Sequence, residues 1–317
     1  MRHGKILKLG AGCLMAIATT LAAHDVRSAG PSAPRQVTPN STGHGFASVY
    51  GDVSADQAEF LATPDAIKSA AASGAPTLVW EALEHGEKVE CLDCISAVAP
   101  LLYDSNAKTR EIAAWWLRRR ILGVFGSGQV YEQTVQTLTD TRQDPVRRSY
   151  AAYALGEFFE TPGVTACAQV LMNPSDDPRV RAAAASALGR LNNDGGGALG
   201  AALLAPDKVV KLAALGSATR INTFSGLVSV AQLTMDGDAD VRRRAIEVLD
   251  ALRYVDAVAG VVRAAQSDTD AGVRAAACHA LGTFGGDAQV RLVLENLAQT
   301  DSDTFVRDQA QIALRRF

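Results

Sequence analysis

Seven times along this chain an Asp or Asn is followed four residues later by Arg or Lys, and then by a run of small apolar residues. The pairs are Asn106/Arg110, Asp144/Arg148, Asp177/Arg181, Asp207/Lys211, Asp238/Arg242, Asp270/Arg274 and Asp303/Arg307. Successive cations stand 38, 33, 30, 31, 32 and 33 residues apart. A repeat of this length predicts stacked copies of one supersecondary unit, each burying its apolar face against its neighbours.

Aligned on the cation, the residue three positions later is Ala113, Ala151, Ala184, Ala214, Ala245, Ala277 or Ala310. Seven positions later stand Leu117, Leu155, Leu188, Ala218, Leu249, Leu281 and Leu314. Offsets of three and seven share one face of a helix. Small residues on that face let neighbouring helices come close, and with aromatics at 6% of the chain the core is built from Ala, Leu and Val. Gly156, Gly189 and Gly282 follow the Leu directly and mark the approaching helix end. Asp144-Pro145 and Asp177-Pro178 read as an N-cap followed by Pro in the first turn.

A second, less regular helix is expected after each of the first six, at 128–139, 163–172, 197–204, 223–234, 255–265 and 287–298. No stretch alternates with period two for long enough to suggest a sheet. The expected fold is therefore all-α, a right-handed α–α superhelix over residues 105–317 that ends on an uncovered first-type helix.

The N-terminal third is organised differently. Arg2, Lys5 and Lys8 precede a mostly apolar stretch from Leu9 to Leu21, and Ala22 and Ala23 follow. This reads as a signal peptide over 1–23, cleaved after Ala22 or Ala23, with an uncleaved anchor as the competing reading. Residues 24–48, with Pro31, Pro34 and Pro39, read as a disordered linker. Residues 49–104 are expected to form helices that cap the array, with order beginning near Val53. Ser54 with Gln57 resembles a capping box, Thr63-Pro64 a helix start, and Pro76 and Gly86 bracket a further helix. Removing residues 1–23 takes away Arg2, Lys5 and Lys8 and moves the net charge from −3 to −6. Such an acidic chain is a poor nucleic-acid binder, because that affinity depends on neutralising phosphates. No later apolar run is long enough to span a bilayer.

The segment Asp-Pro-Arg-Val-Arg-Ala-Ala-Ala-Ala-Ser-Ala-Leu-Gly at 177–189 resembles the short HEAT repeat of the phycobilin-lyase type, and the resemblance extends over about 105–317. It implies a HEAT-repeat solenoid, with the periodic Asp and Arg in a ladder between repeats. It also implies that the second helices line a concave face that holds protein partners. Deoxyhypusine hydroxylases, in the same superfamily, hold iron with His-Glu pairs. None of His3, His24, His44, His85 and His279 is followed by Glu, so that iron site is absent. No residue distinguishes a bilin site from ordinary repeat surface.

Three features stand outside the repeat. Cys91-Leu92-Asp93-Cys94 sits at the start of an expected helix from Asp93 to Tyr103. It admits a structural disulfide, two inert thiols, or a redox pair activated by the helix N-terminus. Ile95 stands where haem attachment needs His, and Cys167 and Cys278 lie too many repeats away to complete a zinc site. Trp115, Trp116, Arg118, Arg119 and Arg120 form a basic-aromatic run, with Trp116 in a slot held elsewhere by Ala154, Ala187, Ser217, Val248, Ala280 and Ala313. It fits a partner-binding patch or the packing of the first repeat on the cap. Asp236, Asp238, Asp240 and Glu247 imitate a calcium loop, but Val241 stands where that loop needs Gly.

The expected function is an exported, non-enzymatic scaffold that binds another protein, as a monomer and without a cofactor, periplasmic or secreted in a bacterium. The alternatives are an accessory factor for redox or prosthetic-group chemistry through Cys91 and Cys94, and a self-associating envelope protein. Asp308, Gln309, Gln311, Arg315 and Arg316 make the last helix polar and favour a cap over a dimer face.

Overall fold

The computed structural model describes residues 46–48, 51–121, 128–285 and 288–317. The segments read as signal peptide and, up to residue 45, as linker lie outside them. The first described element is a short antiparallel hairpin, β1 (Phe46–Ser48) and β2 (Gly51–Val53), pairing Phe46 with Val53. Order thus begins before Val53. Three-residue strands are too short to show an alternating pattern in the sequence.

All other described elements are helical. The cap holds α1 (Ala55–Leu61), α2 (Pro64–Ser73), α3 (Pro76–His85) and α4 (Leu92–Val98). Ser54 and Gln57 form the reciprocal capping box, and the Thr63 hydroxyl caps α2 by accepting from Ala66 N. The helix expected from Asp93 to Tyr103 is α4 continued by a 3-10 turn over Ala99–Tyr103, where Pro100 removes a backbone donor.

The periodic helices are α5 (Ala107–Leu117), α7 (Pro145–Phe158), α9 (Pro178–Arg190), α11 (Lys208–Ala218), α13 (Ala239–Ala251), α15 (Ala271–Phe284) and α17 (Thr304–Leu314). Between them run α6 (Gln129–Thr139), α8 (Thr161–Met172), α10 (Ala198–Ala202), α12 (Leu227–Gln232), α14 (Val258–Ser267) and α16 (Ala288–Thr300). Four of the six intervening helices pack mainly on the periodic helix that follows them: α6 on α7, α8 on α9, α14 on α15 and α16 on α17. The repeat is therefore an irregular helix and then a periodic one. The array ends on the complete pair α16–α17, which corrects the expectation of an uncovered last helix. The cap continues the stacking, with α3 against α5 and α2 against α4.

The periodic Asp is a helix cap. Asp144, Asp177, Asp238, Asp270 and Asp303, like Asn106, accept backbone N–H groups in the first turn of their own helices. The ladder uses other carboxylates. Five of the seven cations reach across to an Asp just before the next periodic helix. Arg148 binds Asp176 at 2.6 and 2.7 Å, with both side chains 3% exposed. Arg242 holds Asp268 with two contacts of 2.7 Å, and Arg274 holds Asp301 with two of 2.8 Å. Lys211 pairs with Asp236. Arg181 binds Asp207 at 3.0 Å, and here the cap residue itself is the acceptor. The hydrogen bond from Arg274 holds the Asp301 carboxyl below the usual range, against the opposing effect of burial.

Glycine sets the spacing of the periodic layer. A Cβ on Gly156 would lie 3.0 Å from Ala187 Cα, one on Gly189 2.7 Å from Ser217 Cβ, and one on Gly282 2.7 Å from Ala313 Cβ. These glycines do lie near helix ends, but their larger role is to admit the next helix. The buried Ser217 hydroxyl donates to Ala185 O across this contact, at 2.9 Å. The intervening helices bury bulkier residues such as Tyr131, Leu171, Leu199, Val230, Val261 and Leu294, and most of them approach one another less closely. A stack of helix pairs bends toward the layer whose helices are closer together, so the periodic helices form the inner layer. The resemblance implied the opposite assignment, because the variable helices were equated with the binding side.

Gly282→Ala and Gly216→Ala separate close approach from helix propensity. Nothing lies within 4 Å of a Cβ at Gly216, although it too is helical. Urea denaturation should show Gly282→Ala destabilising by about 1–3 kcal/mol and Gly216→Ala stabilising by about 0.5–1 kcal/mol. Equal effects at the two positions would contradict the proposed spacing.

Candidate functional site

The basic-aromatic run at the end of α5 is split between core and surface. Trp116 is 1% exposed and its indole N–H donates to Gly86 O at 3.0 Å. Arg120 is 6% exposed; it donates to Trp116 O at 2.7 Å, to Val89 O at 3.0 Å and to Glu87 O, with its guanidinium 3.8 Å from the Trp116 ring centroid. Burial, and then the neighbouring Arg119, lower the Arg120 pKa to about 10. These two residues tie α5 to the loop after α3 and are not available to a partner. Arg119 is exposed and pairs with Glu87 at 2.6 Å. Arg118 lies 5.3 Å from the Phe159 ring, and Trp115 is half-buried. The five residues do not form one surface: Trp116 and Arg120 are buried, whereas Trp115, Arg118 and Arg119 keep part of their side chains at the surface.

Cys91 and Cys94 are joined in a disulfide, with Cα atoms 5.2 Å apart. Cys91 caps α4, its sulfur accepting from Cys94 N at 3.1 Å. Cys94 is fully buried, 3.7 Å from Pro64 O at the start of α2. Cys91 borders a cavity of about 240 Å³ shared with Glu87, Arg119 and Arg120. A dithiol that exchanges with another disulfide must present a sulfur to its partner, and here the more accessible sulfur is that of Cys91. Cys167 and Cys278 are buried thiols whose pKa values burial pushes up to about 12.

The solvent side of the inner layer carries the residues that alignment on shared positions passes over. Five positions after each cation stand Trp115, Tyr153, Ser186, Gly216, Glu247, His279 and Ile312. All are half-buried or exposed, on a framework that is nearly invariant. Two clusters lie along this column. Near its end, His279 Nδ1 is 2.9 Å from Asp250 Oδ2, and Arg316 donates to the Thr283 hydroxyl at 2.7 Å. Nearer its start, Arg110, Tyr150, Tyr153 and Arg190 surround a cavity of about 200 Å³. Arg110 stacks 3.8 Å from the Tyr150 centroid and Arg190 4.4 Å from that of Tyr153. The residues two and five positions after the cation would have pointed to this cavity in the sequence, since only Arg148 is followed there by two tyrosines.

Among the described residues no group of His, Cys, Asp and Glu could hold a metal ion, and no helix is long and apolar enough to cross a membrane. Asp236 and Asp240, two members of the calcium-like set, pair with Lys211 and Lys208.

If the thiol assignments are right, iodoacetamide at pH 8 should label neither Cys167 nor Cys278 in the native protein, with or without mild reductant. Unfolding in urea should expose both. Rapid labelling of either in the native state, read by mass spectrometry, would contradict their burial.

Comparison with known proteins agrees with the geometry. The chain resembles importin β over 83% of its length and 47% of the importin chain, at 14% identity and a TM-score of 0.55. It resembles Kap95p, in a structure with RanGDP, over 82% of its length and 41% of that chain, at 14% identity and a TM-score of 0.59. It also matches YibA of E. coli over 87% of its length and all of that protein, at 16% identity and a TM-score of 0.53. No curated protein gives a significant sequence match. Residues 227–315 match the family model for HEAT repeats, and with the same helix pairs stacked from α6 to α17 the chain is a HEAT-like repeat solenoid.

Proposed function

We propose that this protein is an exported, non-enzymatic scaffold that binds another protein along its inner layer. The observation that carries this reading is the contrast between frame and face. The caps, ladder pairs and close glycine contacts repeat from unit to unit, whereas the column from Trp115 to Ile312 changes its chemistry at every step. A uniform frame with a varied, continuous face suits a macromolecular surface, because each repeat adds one contact of its own. The basic, apolar and small-residue order of 1–23 supports export, and a disulfide at Cys91–Cys94 suits an oxidising compartment. We read the protein as a monomer there. The alternative of redox chemistry gains no support from Cys94, which is fully buried.

A photo-crosslinking residue placed at Ser186 probes the inner layer, and one at Met172, 55% exposed on α8, probes the outer. In native envelopes the first should give a discrete protein adduct and the second should not. Adducts from both positions equally, or from neither, would contradict the reading. Protein recovered from the same preparation should begin at Ala23 or His24, and retention of Met1 would contradict a cleaved signal and favour the uncleaved anchor.

A further inference from the structure

The ladder is open at its first rung. Asp236, Asp268 and Asp301 each stand two residues before a capping Asp and each receive a cation from the preceding repeat. Arg142 occupies the corresponding place before Asp144, and it is exposed and paired with Asp140 at 2.8 Å. Arg110, the cation of that rung, consequently meets no carboxylate among the described residues. One of its nitrogens, Nη1, donates to Asp104 O at 2.6 Å and Ser105 O at 2.9 Å, which fixes the guanidinium, and Tyr150 supports one face of it. No described residue accepts from its Nε or Nη2, and Arg110 lines the cavity. Each of the arginines at 148, 242 and 274 uses two of its nitrogens to grip an Asp with two contacts.

The surroundings of Arg110 suit an incoming acid. The Tyr150 and Tyr153 hydroxyls have no hydrogen-bond partner among the described residues, and both residues line the same cavity. Arg190 closes the far side but is already neutralised by Glu157, so Arg110 supplies the unmatched charge. Arg307, in the last repeat, makes the same bonds to two backbone carbonyls, at Asp301 and Ser302, yet no ring lies over it among the described residues. A cavity of about 200 Å³ is below the roughly 300–1,000 Å³ of small-molecule sites. It takes one side chain, and the rest of the ligand must lie along the inner face.

We propose that Arg110, Tyr150 and Tyr153 form a receptor for an Asp or Glu side chain of an acidic protein segment, which completes the open rung from outside. The proposal rests on the scaffold reading and specifies its partner. It is tested with fluorescein-labelled octaglutamate, its octaglutamine counterpart and free glutarate, by fluorescence polarisation on the full-length mature protein. Octaglutamate should bind, and octaglutamine and glutarate should not. Arg110→Gln should weaken binding by about tenfold, the scale of a lost charged hydrogen bond. Arg307→Gln, which removes the same charge elsewhere, should leave it unchanged. Tyr150→Phe, which retains the ring, should weaken binding without lowering the melting temperature. Absence of octaglutamate binding, equal losses from Arg110→Gln and Arg307→Gln, or glutarate binding as tightly as the peptide would overturn the proposal. If the Ser186 crosslink survives Arg110→Gln undiminished, this receptor fails while the scaffold reading stands. If the unmodified protein gives no crosslink at Ser186, the scaffold reading fails first.

Discussion

The structure depends on one recurring bond, the reach of a cation in one periodic helix to a carboxylate that precedes the next. A repeat of two short helices has too little apolar surface to be stable alone, so the bonds between repeats decide whether there is a fold. Charged groups are costly to bury, and a buried pair is tolerated only when its geometry satisfies both partners. Arg148 meets that condition: two of its nitrogens bind Asp176 and its Nε donates to Leu138 O at 2.8 Å. Arg181 likewise donates its Nε to Leu171 O at 3.1 Å while it reaches Asp207. Each such side chain joins the carbonyl end of an outer helix to the start of the next inner one. The rung therefore fixes the register of three elements at once, which apolar contact alone would leave free to slide.

Close approach does the rest. Ala at the third offset and, in three repeats, Gly at the eighth bring the inner helices together, while the outer ones bury bulkier Leu, Val and Tyr. Curvature is thus written in side-chain volume. So is its exception, Trp116, which takes a small-residue slot where there is no preceding HEAT pair of the regular kind. Its ring fills the space against the cap, and its indole nitrogen satisfies Gly86 O. Of the two readings the sequence allowed for Trp116, a partner-binding patch or packing on the cap, the structure shows the second: it is the joint between an irregular cap and a regular array.

Much of this was legible beforehand, and for physical reasons. Capping residues act within four positions, so Asp144-Pro145, Thr63-Pro64 and Ser54 with Gln57 announce their helices directly. Burial at the third and seventh offsets follows from helical geometry. The acceptors of the ladder were not legible, because the cation and its Asp lie 25–28 residues apart and no local rule connects them. The periodic Asp, four residues before the cation, drew the eye and proved to be a cap. The pairing of outer helices with the inner helices that follow them was hidden for the same reason. Charge and aromatic character gave the run from Trp115 to Arg120, but only tertiary packing could divide it into buried and exposed members. The Arg110 cavity depends on Tyr150 and Tyr153, which stand at positions that differ between repeats, so the shared pattern carries no signal of it.

Frame and face therefore have separate residues, and the open first rung is where they meet. The account stands on the claim that each of the five paired cations is energetically coupled to the Asp it reaches in the next repeat. A double-mutant cycle on Arg274 and Asp301, using Arg274→Met, Asp301→Asn and the pair, measures that coupling directly by equilibrium denaturation. The account predicts a coupling energy above about 1 kcal/mol, the range seen for residues in one ion-pair network. Single effects that add to within about 0.3–0.5 kcal/mol would contradict it and reduce the ladder to a geometric coincidence of capped helices.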